Sequence, residues 1–237
     1  MARRCPHFVT GDFQPSHKFL PDDEYGRALD AIVKATSDVM VTADGGKRIF
    51  LGRRIVHPQP DWWFLGGRAR PGETPQQAAA RNVKREIGLQ RPAESFQVVT
   101  HFSMVWQMRV QPPAENGTAD ITTIHRLEVR PEELDGVVLD EKEYSECRWF
   151  DAATIRTGDF HPVLKQSVRD MEAQILFQDL QRLVESGASE EQVAKAARGL
   201  VQASKLEPVL EDSDSAVKVH IGDGKYSVTP LSAIASS

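Results

Sequence analysis

Residues 66–89 read Gly66-Gly67-Arg68-Ala69-Arg70-Pro71-Gly72-Glu73-Thr74-Pro75-Gln76-Gln77-Ala78-Ala79-Ala80-Arg81-Asn82-Val83-Lys84-Arg85-Glu86-Ile87-Gly88-Leu89, a glycine loop that runs into one helix with both ends marked. Thr74 is a good N-cap, Pro75 suits the first helical position, and Gln77 falls where a capping box places its reciprocal acceptor. Gly88 is the left-handed residue expected after the last turn. Ala79, Val83 and Ile87 recur at helical spacing as a core-facing stripe. Asn82 and Glu86, four apart, share a different face, with Arg85 beside them. The glycines let backbone approach a ligand closely. A glycine loop followed by a capped helix that carries an acidic residue suits a metal–phosphate site.

The flanks predict alternating strands and helices. Asp22-Asp23-Glu24 opens a helix through about Lys34, with Ala28, Leu29, Ile32 and Val33 as its apolar face. Residues 38–43 and 47–52 surround Asp44-Gly45-Gly46 and read as a β-hairpin. Residues 96–108 and 119–130 are long strands, and 145–150 is a short one. The fold class is α/β: a sandwich with strands, the marked helix and a later helix. Residues 1–20 read as an arm lying on a domain that spans 21–161, and residues 162–237 as a helical C-terminal extension. In that extension Val163–Glu185 is a long amphipathic helix with Val168, Met171, Ile175, Leu176, Leu180, Leu183 and Val184 available for packing. Gly187 stops it, and Ser189 with Gln192 caps a second helix. Residues 207–216 read as an acidic linker, 217–229 as a small hairpin around Asp223-Gly224, and the last residues as a frayed tail.

Composition narrows the function. At 237 residues with 40% hydrophobic residues, the chain suffices for one core domain and an extension. A net charge of −5 gives no electrostatic footprint for nucleic acid. An anionic substrate must therefore be met by local cations and a metal. Two cysteines, Cys5 and Cys147, make neither a disulfide framework nor a metal pattern. No apolar stretch reaches membrane length, and the N-terminus lacks the hydrophobic run of a secretory signal, so the expected address is cytoplasmic.

The marked stretch resembles the Nudix box, G-x5-E-x7-R-E-U-x-E-E-x-G-U with U a bulky aliphatic. Gly67, Glu73, Arg81, Val83, Glu86, Gly88 and Leu89 fall on it in register. Asn82 and Arg85 stand where the box has two further glutamates. The approach, Phe50-Leu51-Gly52-Arg53-Arg54, His57-Pro58 and Trp62 to Arg68, is similar to the GDP-mannose mannosyl hydrolase branch, which lacks the same two glutamates and carries an arginine after the double glycine. The similarity covers about residues 20–165. It implies a Nudix-type α/β/α sandwich with a mixed sheet, and a Mg²⁺-dependent hydrolase, with Mn²⁺ as an alternative ion. The implied partner is a small-molecule nucleoside diphosphate derivative, a nucleotide sugar such as GDP-mannose. Neither nucleic acid nor membrane is expected, and a homodimer is compatible with the reading.

By the same resemblance the Gly66 carbonyl, Glu86 and Glu143 are metal ligands, with Glu86 and Arg68 catalytic. Asp38, Arg54, Arg68 and His125 contact the substrate. Glu73 and Arg81 form an ion pair that fixes loop against helix. Each residue has a plainer alternative. Glu86 is also readable as a solvated helix glutamate, and the carboxylates Glu141 and Glu146 as solvated loop charges. His125 is equally readable as a core histidine, since alternation puts it on an inward face with Ile121, Leu127 and Val129. Trp62, Trp63 and Trp106 could stack a base but more often belong to a core. Tyr144 stands where the branch has a histidine thought to act as general base. A phenol titrating near ~10 is a poor base at neutral pH. The competing reading is therefore an attenuated domain that binds nucleotide or protein without turnover.

Overall fold

The structure is a computed structural model that describes residues 5–12, 14–206, 208–211 and 216–231. Helix α1 spans Asp22–Ala31, with three acidic residues in its first turn where the helix dipole favours them. It ends earlier than the sequence suggests. Lys34 already enters strand β1 (Lys34–Ala43), so Ile32 and Val33 lie in an extended link and are exposed rather than packed. The chain turns at Asp44–Gly46 into β2 (Arg48–Arg54). The hairpin register sets Val41 opposite Phe50 and Ala43 opposite Arg48. Two short strands follow, β3 (Trp62–Trp63) and β4 (Leu65–Arg68), so the glycine loop begins as a strand.

Helix α2 (Pro75–Ile87) has the ends its sequence marks. Thr74 and Gln77 form a reciprocal capping box, and Gly88 is left-handed at φ 71°. Strands β5 (Gln97–Trp106), β6 (Thr118–Glu128) and β7 (Tyr144–Asp151) complete a seven-stranded sheet. Its order is β3-β2-β1-β6-β5, with β4 also paired to β1 and β7 to β2. The pair β1–β6 is parallel, placing Asp38 opposite Ile124 and Val39 opposite His125, while β1 pairs antiparallel with β2 and β4. The sheet is thus mixed and the fold is mixed α/β, as the resemblance implies.

The central parallel strands are covered on both faces, as such strands usually are. Seven consecutive residues of β1, Ser37–Ala43, are buried. Simple alternation therefore fails in β6. Thr122, Thr123, Ile124 and His125 are all buried, while Ile121, expected to face inward with His125, is 48% exposed. The core gathers Val39, Val41, Phe50, Leu65, Phe96, Leu127, Leu134 and Leu139 against Ala79 and Val83 of α2, with Ile87 packed at its edge. The helix stripe meets the sheet as its spacing requires.

One compact unit ends at Phe150 and a second begins at Asp151. The second holds α3 (Ala152–Thr157), α4 (Pro162–Glu185), α5 (Glu190–Ala203), a short helix α6 (Pro208–Glu211) and the hairpin β8 (Val217–Gly222) with β9 (Lys225–Pro230). Ser189 and Gln192 form the expected capping box of α5. In α4, Val168 and Met171 are buried, Ile175, Leu176, Leu180 and Leu183 are half-buried, and Val184 is exposed. Part of the stretch read as a linker is the helix α6, and the residues read as a frayed tail lie outside the described ones from 232 onward. No helix among the described residues is long and apolar enough to cross a membrane.

His161 caps α4, its Nδ1 accepting from the Val163 amide at 3.2 Å. Burial depresses its pKa from 6.5 to about 3. The unfolded chain takes up this proton near 6.5 and the folded chain only near 3. Stability is therefore undiminished at neutral pH and falls as pH drops from 6.5 towards 3, by up to ~1.4 kcal/mol per pH unit from this residue. Urea unfolding at pH 7 and pH 4.5 should show the loss, and His161→Asn, which keeps a capping oxygen, should remove this residue's share of it. Equal pH slopes for both proteins would contradict the assignment.

Candidate active site

The loop before α2 is held by one bidentate ion pair. Arg81 Nε donates to Glu73 Oε1 at 2.6 Å and Nη2 to Oε2 at 2.8 Å. The same guanidinium donates to the Arg68 carbonyl at 2.9 Å and to Asn82 Oδ1 at 2.8 Å. Glu73 Oε2 also accepts the Arg70 amide at 2.8 Å. Burial alone would raise the Glu73 pKa, but the hydrogen bonds from Arg81 and Arg70 outweigh it and hold the carboxyl below its usual range. This is the loop-to-helix latch that the sequence implies.

Asn82 is fully buried and works as a second fastener. Its Nδ2 donates to the Gly67 carbonyl at 3.0 Å and to the Ser37 carbonyl at 3.3 Å. A glutamate carboxylate has no proton to give two carbonyls. The amide at this position therefore joins helix, loop and β1, a function with no local signal in the sequence. Gly66 lies opposite Asp38 across β1–β4, and a Cβ there would come within 2.6 Å of Asp38 Cα and 2.7 Å of the Ser37 carbonyl oxygen. Gly67 adopts φ 154°, a conformation that L side chains rarely take.

Glu86 is not a solvated helix glutamate. Its side chain is only 5% exposed and pairs closely with Arg85. Arg85 Nη2 also donates to the Gly66 carbonyl at 3.0 Å. One guanidinium thus bridges the two oxygens that the resemblance implies for a metal. Burial would make Arg85 easier to deprotonate, but the hydrogen bond and charge of Glu86, followed by the charge of Glu143, raise its pKa. Glu143, half-buried ahead of β7, is therefore electrostatically linked to the same group. Its backbone carbonyl accepts from the Ile55 amide at 2.9 Å.

Tyr144 packs in the apolar core, so close to β2 that a Cβ on Gly52 would meet its ring at 2.7 Å. Its hydroxyl is buried and faces Glu86 without the geometry of a hydrogen bond. Burial first, then the charge of Glu86, pushes its pKa far above the usual phenol value. The neutral phenol is thereby favoured.

Asp38 is buried on β1, and its Oδ2 accepts from Trp63 Nε1 at 3.1 Å. Burial raises its pKa to about 7, against the opposing effects of the Trp63 hydrogen bond and the Arg54 charge. A carboxyl balanced near neutrality can either give or accept a hydrogen bond. Arg54 lies 5.9 Å from the Tyr144 ring, with a buried Nε that has no hydrogen-bond partner among the described residues. The Arg68 guanidinium stacks 4.8 Å over the ring of Tyr25 in α1.

His125 is fully buried between β1 and β5. Its ring approaches the Asp38 and Thr123 backbone without forming a hydrogen bond, and burial lowers its pKa to about 4. The tryptophans are structural as well as aromatic. Trp63 is buried, Trp106 donates to Asp120 Oδ2 at 2.7 Å, and Trp62 lies between Arg148 and Phe150 at 4.6 and 4.7 Å. Glu141 is exposed, and Glu146 pairs with Arg53 at the surface, the solvated condition expected of such a loop.

Residues 34–171 match the family model described as NUDIX domain, more than half of the chain. The chain belongs to the NUDIX domain family, and its enzyme class is that of the Nudix hydrolases. Among solved structures it is similar to a MutT protein from Methanosarcina mazei Go1 (16% identity, 60% of this chain and 94% of that one, TM-score 0.46). It is also similar to the dihydroneopterin triphosphate pyrophosphohydrolase of E. coli (21% identity, 58% and 95%, TM-score 0.44). A third is the Ap4A hydrolase of C. elegans (19% identity, 61% and 99%, TM-score 0.40). No curated protein matches the sequence.

Nudix hydrolases generally use a divalent metal such as Mg²⁺ and act on small nucleoside diphosphate derivatives. The residues as arranged here do not fit such an ion between Gly66 and Glu86, because both oxygens already accept from Arg85. Among the described residues no three His, Cys, Asp or Glu side chains are grouped as metal ligands.

The isolated hydroxyl of Tyr144 gives a direct test. Tyr144→Phe should leave turnover within about twofold and change stability by no more than ~1 kcal/mol, or raise it, because a buried unpaired hydroxyl is costly to keep. Steady-state kinetics and thermal melts would check this. A loss of tenfold or more in turnover with an intact fold would give the hydroxyl a chemical role.

Proposed function

We propose that this chain hydrolyses a nucleoside diphosphate linked to a second group, with a nucleotide sugar such as GDP-mannose as the first candidate. The observation that carries this reading is the set of arginines about the glycine strand. Arg85 is bonded to the Gly66 carbonyl, Arg68 follows the double glycine, and Arg54 acts on Asp38 opposite Gly66. Guanidinium groups match phosphate oxygens in geometry and charge. With a net charge of −5, such local cations are what a diphosphate would meet. The sugar as second group rests on the resemblance of residues 38–90 to the mannosyl hydrolase branch, including Arg68 after the double glycine.

In this reading Arg54 and Arg68 hold the diphosphate and Asp38 belongs to the substrate-binding wall, while His125, expected from the sequence to contact substrate, is fully buried within the sheet behind β1 and can act only as packing. Glu73, Arg81 and Asn82 position the loop without touching the reacting atoms. Water attacks phosphorus to give two monophosphates, or the sugar carbon to give free sugar and a nucleoside diphosphate. Preorganised cations lower either barrier by stabilising charge that develops on the bridging oxygen. Two observations favour a second reading, a nucleotide- or protein-binding domain with attenuated catalysis. Arg85 occupies the oxygens of Gly66 and Glu86, and a buried phenol, Tyr144, stands where the mannosyl hydrolase branch has a histidine.

A panel of nucleotide sugars assayed with Mg²⁺, with Mn²⁺ and with chelator separates them, scoring free sugar apart from monophosphates. At least one nucleoside diphosphate sugar should turn over, and Arg54→Ala should lower kcat/KM by about 10²-fold, the scale of one lost charge-stabilising donor. Nucleotide binding by calorimetry with no turnover of any member would favour the binding domain.

A further inference from the structure

Glu86 is an almost fully buried carboxylate and needs a compensating charge. The compensation comes from its own neighbour. Arg85 reaches from an exposed position on α2, its side chain 54% exposed, and sets one nitrogen on both Glu86 Oε1 and the Gly66 carbonyl. The Glu143 charge supports it from the segment before β7. A long side chain with a solvated stem can swing out without disturbing the core. By contrast Lys84, one residue earlier, carries the same charge, is exposed, and makes neither contact.

We propose that Arg85 is a resident cation standing in the place of a divalent ion between the Gly66 carbonyl and Glu86, so that a metal ion can enter only by displacing its guanidinium. The two cannot share these oxygens, since like charges in contact repel strongly where water is excluded. In the metal-free protein Arg85 supplies the positive charge beside the buried Glu86 carboxyl. It also weakens metal binding by the fraction of time that it occupies the site, the reduction expected when only a minor conformer is competent. Once displaced, the guanidinium is free to take phosphate oxygens. The inference rests on the reading of Gly66 and Glu86 as part of the active site.

The test is Mn²⁺ titration of the full chain without substrate, following the free-ion electron paramagnetic resonance signal. Arg85→Ala should bind Mn²⁺ about tenfold or more tightly than the native chain, the gain expected when a competing conformer is removed. Lys84→Ala, which deletes the same charge without freeing either oxygen, should stay within about twofold of native. The double variant Arg85→Ala with Glu86→Gln should lose the gain. Should Arg85→Ala melt at a lower temperature, Arg85→Gln, uncharged but still able to donate to Gly66, replaces it. Equal affinity in the native and Arg85 variants, an equal gain from Lys84→Ala, or no Mn²⁺ binding by any of them would overturn the proposal. Because no substrate is present, these outcomes are independent of the nucleotide-sugar panel that judges the hydrolase reading.

Discussion

The bidentate pair between Arg81 and Glu73 is the constraint on which the site depends. Without it the turn from Arg70 to Glu73 would be held only by its neighbours, the β4 pairing of Arg68 with Thr36 and the Ala69 amide on the Ala35 carbonyl before it, and the Thr74 cap after it. With it, one guanidinium bonds the Glu73 carboxylate, the Arg68 carbonyl and the Asn82 amide oxygen together. Asn82 is thereby oriented so that its two protons face the carbonyls of Gly67 and Ser37. The glycine strand is clamped between α2 and β1, and Gly66 is brought against Asp38 at a separation that no side chain tolerates. Arg85 then meets both the Gly66 carbonyl and Glu86 from a helix whose azimuth is already set.

Electrostatics follow from the same geometry. A buried Glu86, a buried Asp38 and a half-buried Glu143 bring three carboxyl groups into one region, and Arg85 and Arg54 lie beside them. The division of labour is unequal. Arg85 is engaged by hydrogen bonds, whereas Arg54 retains a buried nitrogen with no partner among the described residues. A cation of the second kind is poised for an incoming anion, since it has solvation to regain.

What could be read from the sequence divides along physical lines. The ends of α2, its core stripe, the Glu73–Arg81 pair and the hairpin of β1 with β2 are local features, fixed by capping, spacing and turn chemistry within a few residues. They are all present. The α/β class and the family followed from them. The parallel pairing of β1 with β6 joins residues more than eighty apart, and no local pattern announces it. Ile121 and His125 do share a face, but Ile121 lies beside Ala35 of β1 and Ser103 of β5, both exposed, and so stays exposed with them. Helix α1 lost its last turn because β1 recruits Lys34 to pair across β6 with Asp120, an ion pair of 2.9 Å. The role of Asn82 and the placement of Arg85 were illegible for the same reason. Each depends on carbonyls brought in by a distant strand, while the sequence marks only what is missing from the box.

The parallel strand pair has a consequence for how the chain is made. Synthesis delivers residues from the N-terminus at a limited rate, and domains form as their parts emerge. The hairpin of β1 and β2, then β4 and α2, can come together early because their partners lie close in sequence. Strand β6 begins only at Thr118, and until it arrives the other side of β1 presents a row of unpaired amides and carbonyls. During that interval the nascent segment carries an apolar strand with one open edge, the form most prone to pair with another chain. The order of the strands along the chain therefore leaves that edge of β1 open until residues 118–128 have been made.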